Sequence, residues 1–251
     1  MAVQAYALTD VGRYRSMNQD YIYSSTAPLG SLDNLFLVAD GMGGHNAGDY
    51  ASRFTVENLV AFFRNQYPEK DVHGILKTGI RRVNRELYFQ ASNDPALSGM
   101  GSTLVAATIK GSVLYVANIG DSRLYLLRDK LEQVTRDHSY VEELVALGKM
   151  KRGSRDYQEK KNIITRAVGT AETVDIDLFA FKLKPRDTIL MCSDGLSNMV
   201  DELEMEYIIR SEESMKQKVE ALVEAANRGG GRDNISVVLV EPQISEVMTG
   251  C

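Results

Sequence analysis

Tryptophan is missing from this 251-residue chain, cysteine occurs twice and histidine three times. Each scarcity removes a class of explanation. Two cysteines, Cys192 inside an apolar run and Cys251 at the very end, cannot build a disulfide framework and suit a reducing compartment. His45, His73 and His138 are scattered singly, which argues against a zinc site made of histidines. No apolar run approaches the about 20 residues needed to cross a bilayer, and the opening MAVQAYALTD has no cationic segment leading into an apolar one. Positive charge is not in excess either. The net charge of -5 argues against nucleic acid or an anionic membrane as the main partner. A cytoplasmic protein is therefore expected. Internal repeats, heptads and proline-rich linkers are also missing, so 1–251 is read as one domain, long enough to bury a substantial core.

What is present is alternation between sheet and helix patterns. AVQAYALT (2–9) and DYIYSS (20–25) read as strands, and LFLVA (35–39) as a strand buried on both faces. From Ala47 the apolar period becomes helical through Ala51, Phe54, Val56, Leu59, Val60 and Phe63, and a second helix is expected over Val72–Ala91. STLVAATI (102–109), VLYVANI (113–119) and SRLYLLR (122–128) are spaced like successive antiparallel hairpins. Residues 138–162 are polar and charged apart from a short amphipathic turn around Val141–Leu147, and read as a mobile flap. Strands at 174–181 and 188–192, helices near Glu202–Arg210 and Ser214–Arg228, and a last strand at 235–241 complete the pattern. Two runs of strands interleaved with helix pairs predict an α+β fold: two packed antiparallel sheets with helices on the outside.

The chemistry lies at strand ends. LFLVADG closes an apolar strand on Asp40-Gly41, and TILMCSDG repeats the form with Asp194-Gly195. Asp233 stands just before the last strand and Asp20 at the start of the second. A single Asp-Gly is ordinary turn chemistry. Four such carboxylates, which a single sheet edge can gather, repel one another unless a cation intervenes, and an all-oxygen ligand set selects hard divalent ions such as magnesium or manganese. Gly41, Gly43, Gly44 and Gly195 allow a close backbone approach or a sharp turn there. Arg15, five positions before Asp20, supplies a guanidinium suited to phosphate, with Arg13 as the competitor.

Other catalytic signatures fail. Cys192 has Asn198, not Arg, six places on, as a cysteine phosphatase would need. Asp175-Ile-Asp177 has the spacing of an aspartyl-phosphate pair but Phe179 where Thr is required. GMGGHNAG and GMGST fit neither a P-loop nor a dinucleotide fingerprint, and GDSRL lacks the Gly of a nucleophile elbow.

Eight stretches in order, RSMNQD, LVADGMGGHNAGD, GMGST, ANIGDSRLYLL, TRDHS, ITRAVGT, LMCSDGLS and GGGRDNISVVLV, closely resemble the bacterial branch of the protein phosphatase type 2C family, from about Val3 to Val240. The resemblance implies a four-layer α-β-β-α sandwich with a binuclear Mn/Mg centre at one end of the sheets. It implies that Asp40 bridges both ions, that the Gly41 carbonyl binds one, and that Asp194 and Asp233 complete the other. Asp20 would act through metal-bound water, and Arg15 would hold the substrate phosphate. The implied reaction is hydrolysis of phosphoserine or phosphothreonine by a hydroxide bridging the ions, with no phosphoenzyme. The implied partners are phosphorylated Ser/Thr proteins and a Ser/Thr protein kinase, and the implied enzyme is a monomer.

The sequence departs from the family at three places. Gln19 stands where many relatives have Glu before the first Asp, a change tolerable because that contact runs through water. Met42 stands where eukaryotic relatives place a His as acid for the leaving group, and His45 is not at that position, so no protein general acid is assigned. Relatives often bind a third, weaker metal through Asp121 and an acidic residue at the position of Asn198, a neutral and poorer ligand here. Asn198 is the one feature favouring a different class, a catalytically weak or inactive phosphoprotein-binding regulator of the same fold. A phosphatase of small phosphomonoesters is a third reading.

Overall fold

The computed structural model describes residues 2–43, 47–65 and 71–244. Gly44, His45 and Cys251 lie outside the described residues. The chain opens with strands β1 (Val3–Asp10), β2 (Asp20–Ser25) and β3 (Leu35–Met42), then helices α1 (Ala47–Arg64) and α2 (Val72–Asn93). Strands β4 (Gly101–Ser102), β5 (Leu104–Lys110), β6 (Val113–Ile119), β7 (Arg123–Leu127) and β8 (Leu131–Gln133) follow, with short helices α3 (Tyr140–Ala146) and α4 (Arg155–Lys160) behind them. The last part holds β9 (Asp177–Lys182), β10 (Thr188–Cys192), α5 (Asp194–Ser197), α6 (Glu202–Ile209), α7 (Met215–Arg228) and β11 (Ile235–Pro242).

These strands form two antiparallel sheets, one in the order β1-β11-β10-β7-β8 and the other β2-β3-β5-β6-β9, with β4 pairing β3. LFLVA is buried on both faces, as expected, because each face meets a different layer. Leu35, Leu37 and Ala39 pack with Leu59, Phe63, Ile80 and Leu87 of α1 and α2. Phe36 and Val38 point the other way, into a core shared with Ile189, Met191, Val238 and Val240 of the facing sheet. On that sheet Leu190, Cys192, Val237 and Leu239 turn outward against Leu222, Val223 and Ala226 of α7. The period-2 alternation of a strand thus becomes a four-layer sandwich of helices, two sheets and helices. Each fully buried Leu adds about 1.5–3 kcal/mol to it.

One strand pairing corrects the sequence expectation. β5 and β6 do form an antiparallel hairpin, but β7 does not continue it; β7 joins the other sheet, between β10 and β8. The chain crosses between layers at Gly120, whose φ of +97° is open to glycine and strained for other residues. Alternation marks which faces of a strand are buried, and here both neighbours are equally apolar, so hairpin spacing alone could not choose the sheet.

The flap contains two short helices, α3 and α4, each begun by a serine whose hydroxyl accepts from the first turn: Ser139 from Glu142 and Ser154 from Tyr157. Arg152 and Tyr157 both bind the Glu142 carboxylate, the latter at 2.7 Å, closing the flap on itself. No described helix is long and apolar enough to cross a membrane.

Candidate active site

The strand-end carboxylates do come together, but not along a single sheet edge. Asp20 and Asp40 sit opposite each other in the β2–β3 ladder, while Asp194 follows β10 and Asp233 precedes β11 in the other sheet. The cleft forms where the ends of both sheets meet, because each strand stops at the same level of the sandwich. Asp20 and Asp121 are buried, and Asp40, Asp194 and Asp233 keep part of their surface open.

Asp20 and Asp194 are each held at one oxygen, and Asp233 at both. The Ser193 hydroxyl donates to Asp20 Oδ2 at 2.6 Å, and Asn198 Nδ2 donates to Asp194 Oδ2 at 2.9 Å. Asp233 accepts from its neighbour's backbone, Asn234 N, at 2.9 Å and from Arg15 at 2.9 Å. Asp40 is fixed through its backbone, whose N–H donates to Thr103 Oγ1 and whose carbonyl accepts from Thr103 N. The opposite oxygens of Asp20, Asp121 and Asp194, each Oδ1, are buried with no hydrogen-bond partner. Such orphans are costly unless something absent from the protein chain meets them.

The electrostatics say the same. Burial, then the neighbouring carboxylates, drive the pKa of Asp40 well above its ordinary 3.8. Burial pushes Asp20 to about 7 despite the Ser193 hydrogen bond, and Asp121 to about 8 with help from Asp194. Asp194 rises to about 6 through burial and Asp233, with Lys161 and Arg123 opposing. Lone carboxylates in one low-dielectric cleft behave in this way, and a bound cation reverses it. The residues present therefore fit a divalent-ion centre at Asp40, Asp194 and Asp233, with Asp20 behind them. They do not equally fit a third ion, since Asn198 presents one neutral oxygen, already taken by Lys161 Nζ at 2.7 Å.

Glycine serves close packing here. A Cβ on Gly41 would lie 1.9 Å from the Gly48 carbonyl oxygen in the first turn of α1, and one on Gly195 would lie 1.9 Å from the Asn234 carbonyl oxygen. Backbone cannot yield as a side-chain tip can, so Gly195→Ala is expected to lower stability by about 1–3 kcal/mol. A urea unfolding midpoint that does not move would contradict this packing.

Several supporting residues escaped the sequence reading. Asn234 is a buried clasp: its Oδ1 accepts Gln19 N at 2.8 Å, and its Nδ2 donates to the carbonyls of Val11 and Met17, both at 2.9 Å. It thereby shapes the loop that carries Arg15. Arg15 reaches Asp233, whereas Arg13 is held by its backbone N–H on Gly231. His138 grips Gly120 twice, accepting Gly120 N at Nδ1 and donating its own N–H to the Gly120 carbonyl, which places Asp121. His138 lies in TRDHS and Asn234 in GGGRDNISVVLV, but their hydrogen bonds have no sequence signal.

Comparison with known proteins places this geometry. The sequence model described as protein phosphatase 2C matches residues 13–239. The "Serine/threonine phosphatase stp" of Listeria monocytogenes is 40% identical over 244 residues, covering 95% of each chain. Among solved structures, the serine/threonine phosphatase of S. agalactiae superposes with a TM-score of 0.90 at 34% identity, covering 96% of this chain and all of that one. The catalytic domain of the serine/threonine protein phosphatase PstP, solved in complex with two manganese ions, gives 0.84 at 34% identity over 97% of this chain and 99% of that one. Fold, carboxylate cleft and these likenesses together define an enzyme of the serine/threonine phosphatase class. The chain belongs to the protein phosphatase 2C family, in its bacterial branch.

Proposed function

We propose that the protein removes phosphate from phosphoserine and phosphothreonine of partner proteins, using two manganese or magnesium ions held by Asp40, the Gly41 carbonyl, Asp194 and Asp233, with Asp20 reaching one ion through water. The buried, unpartnered carboxylate oxygens are the observation that carries this reading. Among the described residues, no three Asp, Glu, His or Cys side chains form a ready-made ion cage. The backbone carbonyl of Gly41 and water would complete one around a bound ion. Two such ions supply charge neutralisation for the phosphoryl oxygens and a nucleophilic water at neutral pH.

The chain's own part is positioning. Ser193 fixes Asp20 by one oxygen and leaves the other buried without a hydrogen-bond partner. Arg15 is half exposed, and its contact with Asp233 is the kind of accessible ion pair that contributes little and exchanges readily. Its guanidinium is therefore free to grip a phosphate through two parallel hydrogen bonds. Cys192 does not compete as nucleophile: it is fully buried, and burial pushes its thiol up to about 12. A monomeric cytoplasmic enzyme that reverses a Ser/Thr kinase is the corresponding biological role.

Phosphate release from a phosphothreonine peptide across a manganese titration tests this. Saturable activation is expected, and folded protein without turnover at any manganese concentration would refute it. Arg15→Ala is expected to lower kcat/KM by roughly 10- to 100-fold, mostly through KM, on the scale of a charge-assisted contact. Unchanged KM would move the phosphate site elsewhere.

A further inference from the structure

Beside the carboxylate cleft, under the flap, lies a cavity of about 220 Å³ lined by Asp121, Arg123, Tyr157, Lys161, Asp194 and Asn198. Its negative charge is under-compensated. Asp121 is 6% exposed and its Oδ1 has no partner. Arg123 is already committed, donating from both Nε and a terminal nitrogen to Asp137, at 3.0 and 2.6 Å. Lys161, immediately after α4, is the cation that enters from the flap. Its ammonium donates to Asn198 Oδ1 at 2.7 Å, and the same amide donates through Nδ2 to Asp194 Oδ2 at 2.9 Å. The two partners settle which end of the amide is oxygen: an ammonium needs an acceptor and a carboxylate needs a donor.

A carboxylate at position 198 could not make this relay, because it has no hydrogen to give Asp194. It would instead repel Asp194 and create a site attractive to a divalent ion. With Asn198 the only oxygen offered is engaged by an ammonium, and an incoming ion would meet positive charge at the same place. We propose that Lys161 is the resident cation of this pocket, replacing a third metal ion and tying the flap to the reacting centre through Asn198 and Asp194. The relay holds Asp194 by Oδ2 and leaves Oδ1 without a protein partner, where it would be available to an ion of the main site. Lys161 is in this sense a positioning residue. The inference rests on the two-ion reading above.

Counting manganese per chain by equilibrium dialysis, at concentrations raised well past saturation, separates the two. Wild type is expected to bind two ions and the double variant Lys161→Gln/Asn198→Asp three, with circular dichroism confirming that both are folded. Three ions on wild type, or only two on the double variant, would overturn the proposal while leaving the two-ion reading intact. Fewer than two on wild type would remove that reading and this one with it. Hydrogen exchange supplies a second readout. Lys161→Gln is expected to speed amide exchange several-fold in residues 155–162 with manganese bound, and an unchanged rate there would show that the lysine does not tie the flap down.

Discussion

Asp40→Asn is expected to lose nearly all turnover and yet unfold at a higher urea concentration than the wild type when metal is absent. The side chain keeps its size and loses only its charge. Asp40 lies opposite Asp20 in the ladder and is pushed toward its protonated form by burial and then by Asp20, Asp194, Asp121 and Asp233. Removing one of these like charges relieves the metal-free cleft. The same charge would help hold the ions in the proposed reaction, so kcat should fall at least about 10²–10³-fold, the scale seen when one preorganised electrostatic contact is lost. Phosphate release at saturating manganese checks the first effect, and urea unfolding in chelator the second. A variant that kept more than about a tenth of its activity, a barrier change under about 1.4 kcal/mol, would remove Asp40 from the centre. A lower urea midpoint would show that the cleft was not under electrostatic strain.

Stabilisation by manganese is expected to grow from pH 5 to pH 8. In the metal-free fold Asp194 titrates near 6, Asp20 near 7 and Asp121 near 8, against an ordinary value of 3.8. Burial is the first cause in each. The folded state therefore holds protons that the unfolded chain has already released, and this part of the stability is complete below about pH 4 and lost as pH rises through 6 to 8. Ions at the main site would compete with the proton of Asp194 and favour the charged form of nearby Asp20, so they add little at pH 5 and most at pH 8. An ion at about 100 times its Kd adds about 2.7 kcal/mol, or about 5–10 °C in Tm for a chain of this length. Calorimetry in chelator and in manganese at several pH values reads the difference. A Tm gain that is flat with pH would mean the ions bind groups other than these aspartates.

Much of the scaffold could be read before any coordinates. β2, β6 and β10 begin and end where the alternation of apolar residues places them, and Ser214 marks the start of α7 through a capping box with Gln217. The site carboxylates were visible because each stands at a strand end, Asp40 and Asp194 closing apolar runs, Asp20 opening a strand and Asp233 preceding one, where a charge without a purpose would be costly. The Asp-Gly pairs were visible for the same reason, although their glycines proved to serve backbone packing against Gly48 and Asn234.

What stayed hidden was how distant segments hold one another. Ser193 holds Asp20 across 173 residues and Asn234 holds Gln19 across 215, and neither polar side chain differs in type or spacing from ordinary turn residues. The crossing of β7 into the other sheet was equally silent, since both destinations bury the same apolar faces. Asn198 read as a missing ligand; its contacts with Lys161 and Asp194 gave it partners and a direction. The sequence by itself determined the elements, their buried faces and which carboxylates stand at strand ends, because those follow from local periodicity and the cost of burying charge. The tertiary structure alone decided which strand ends meet, which oxygens are left without partners and which cation enters beside them, because these depend on how separate layers close upon one another.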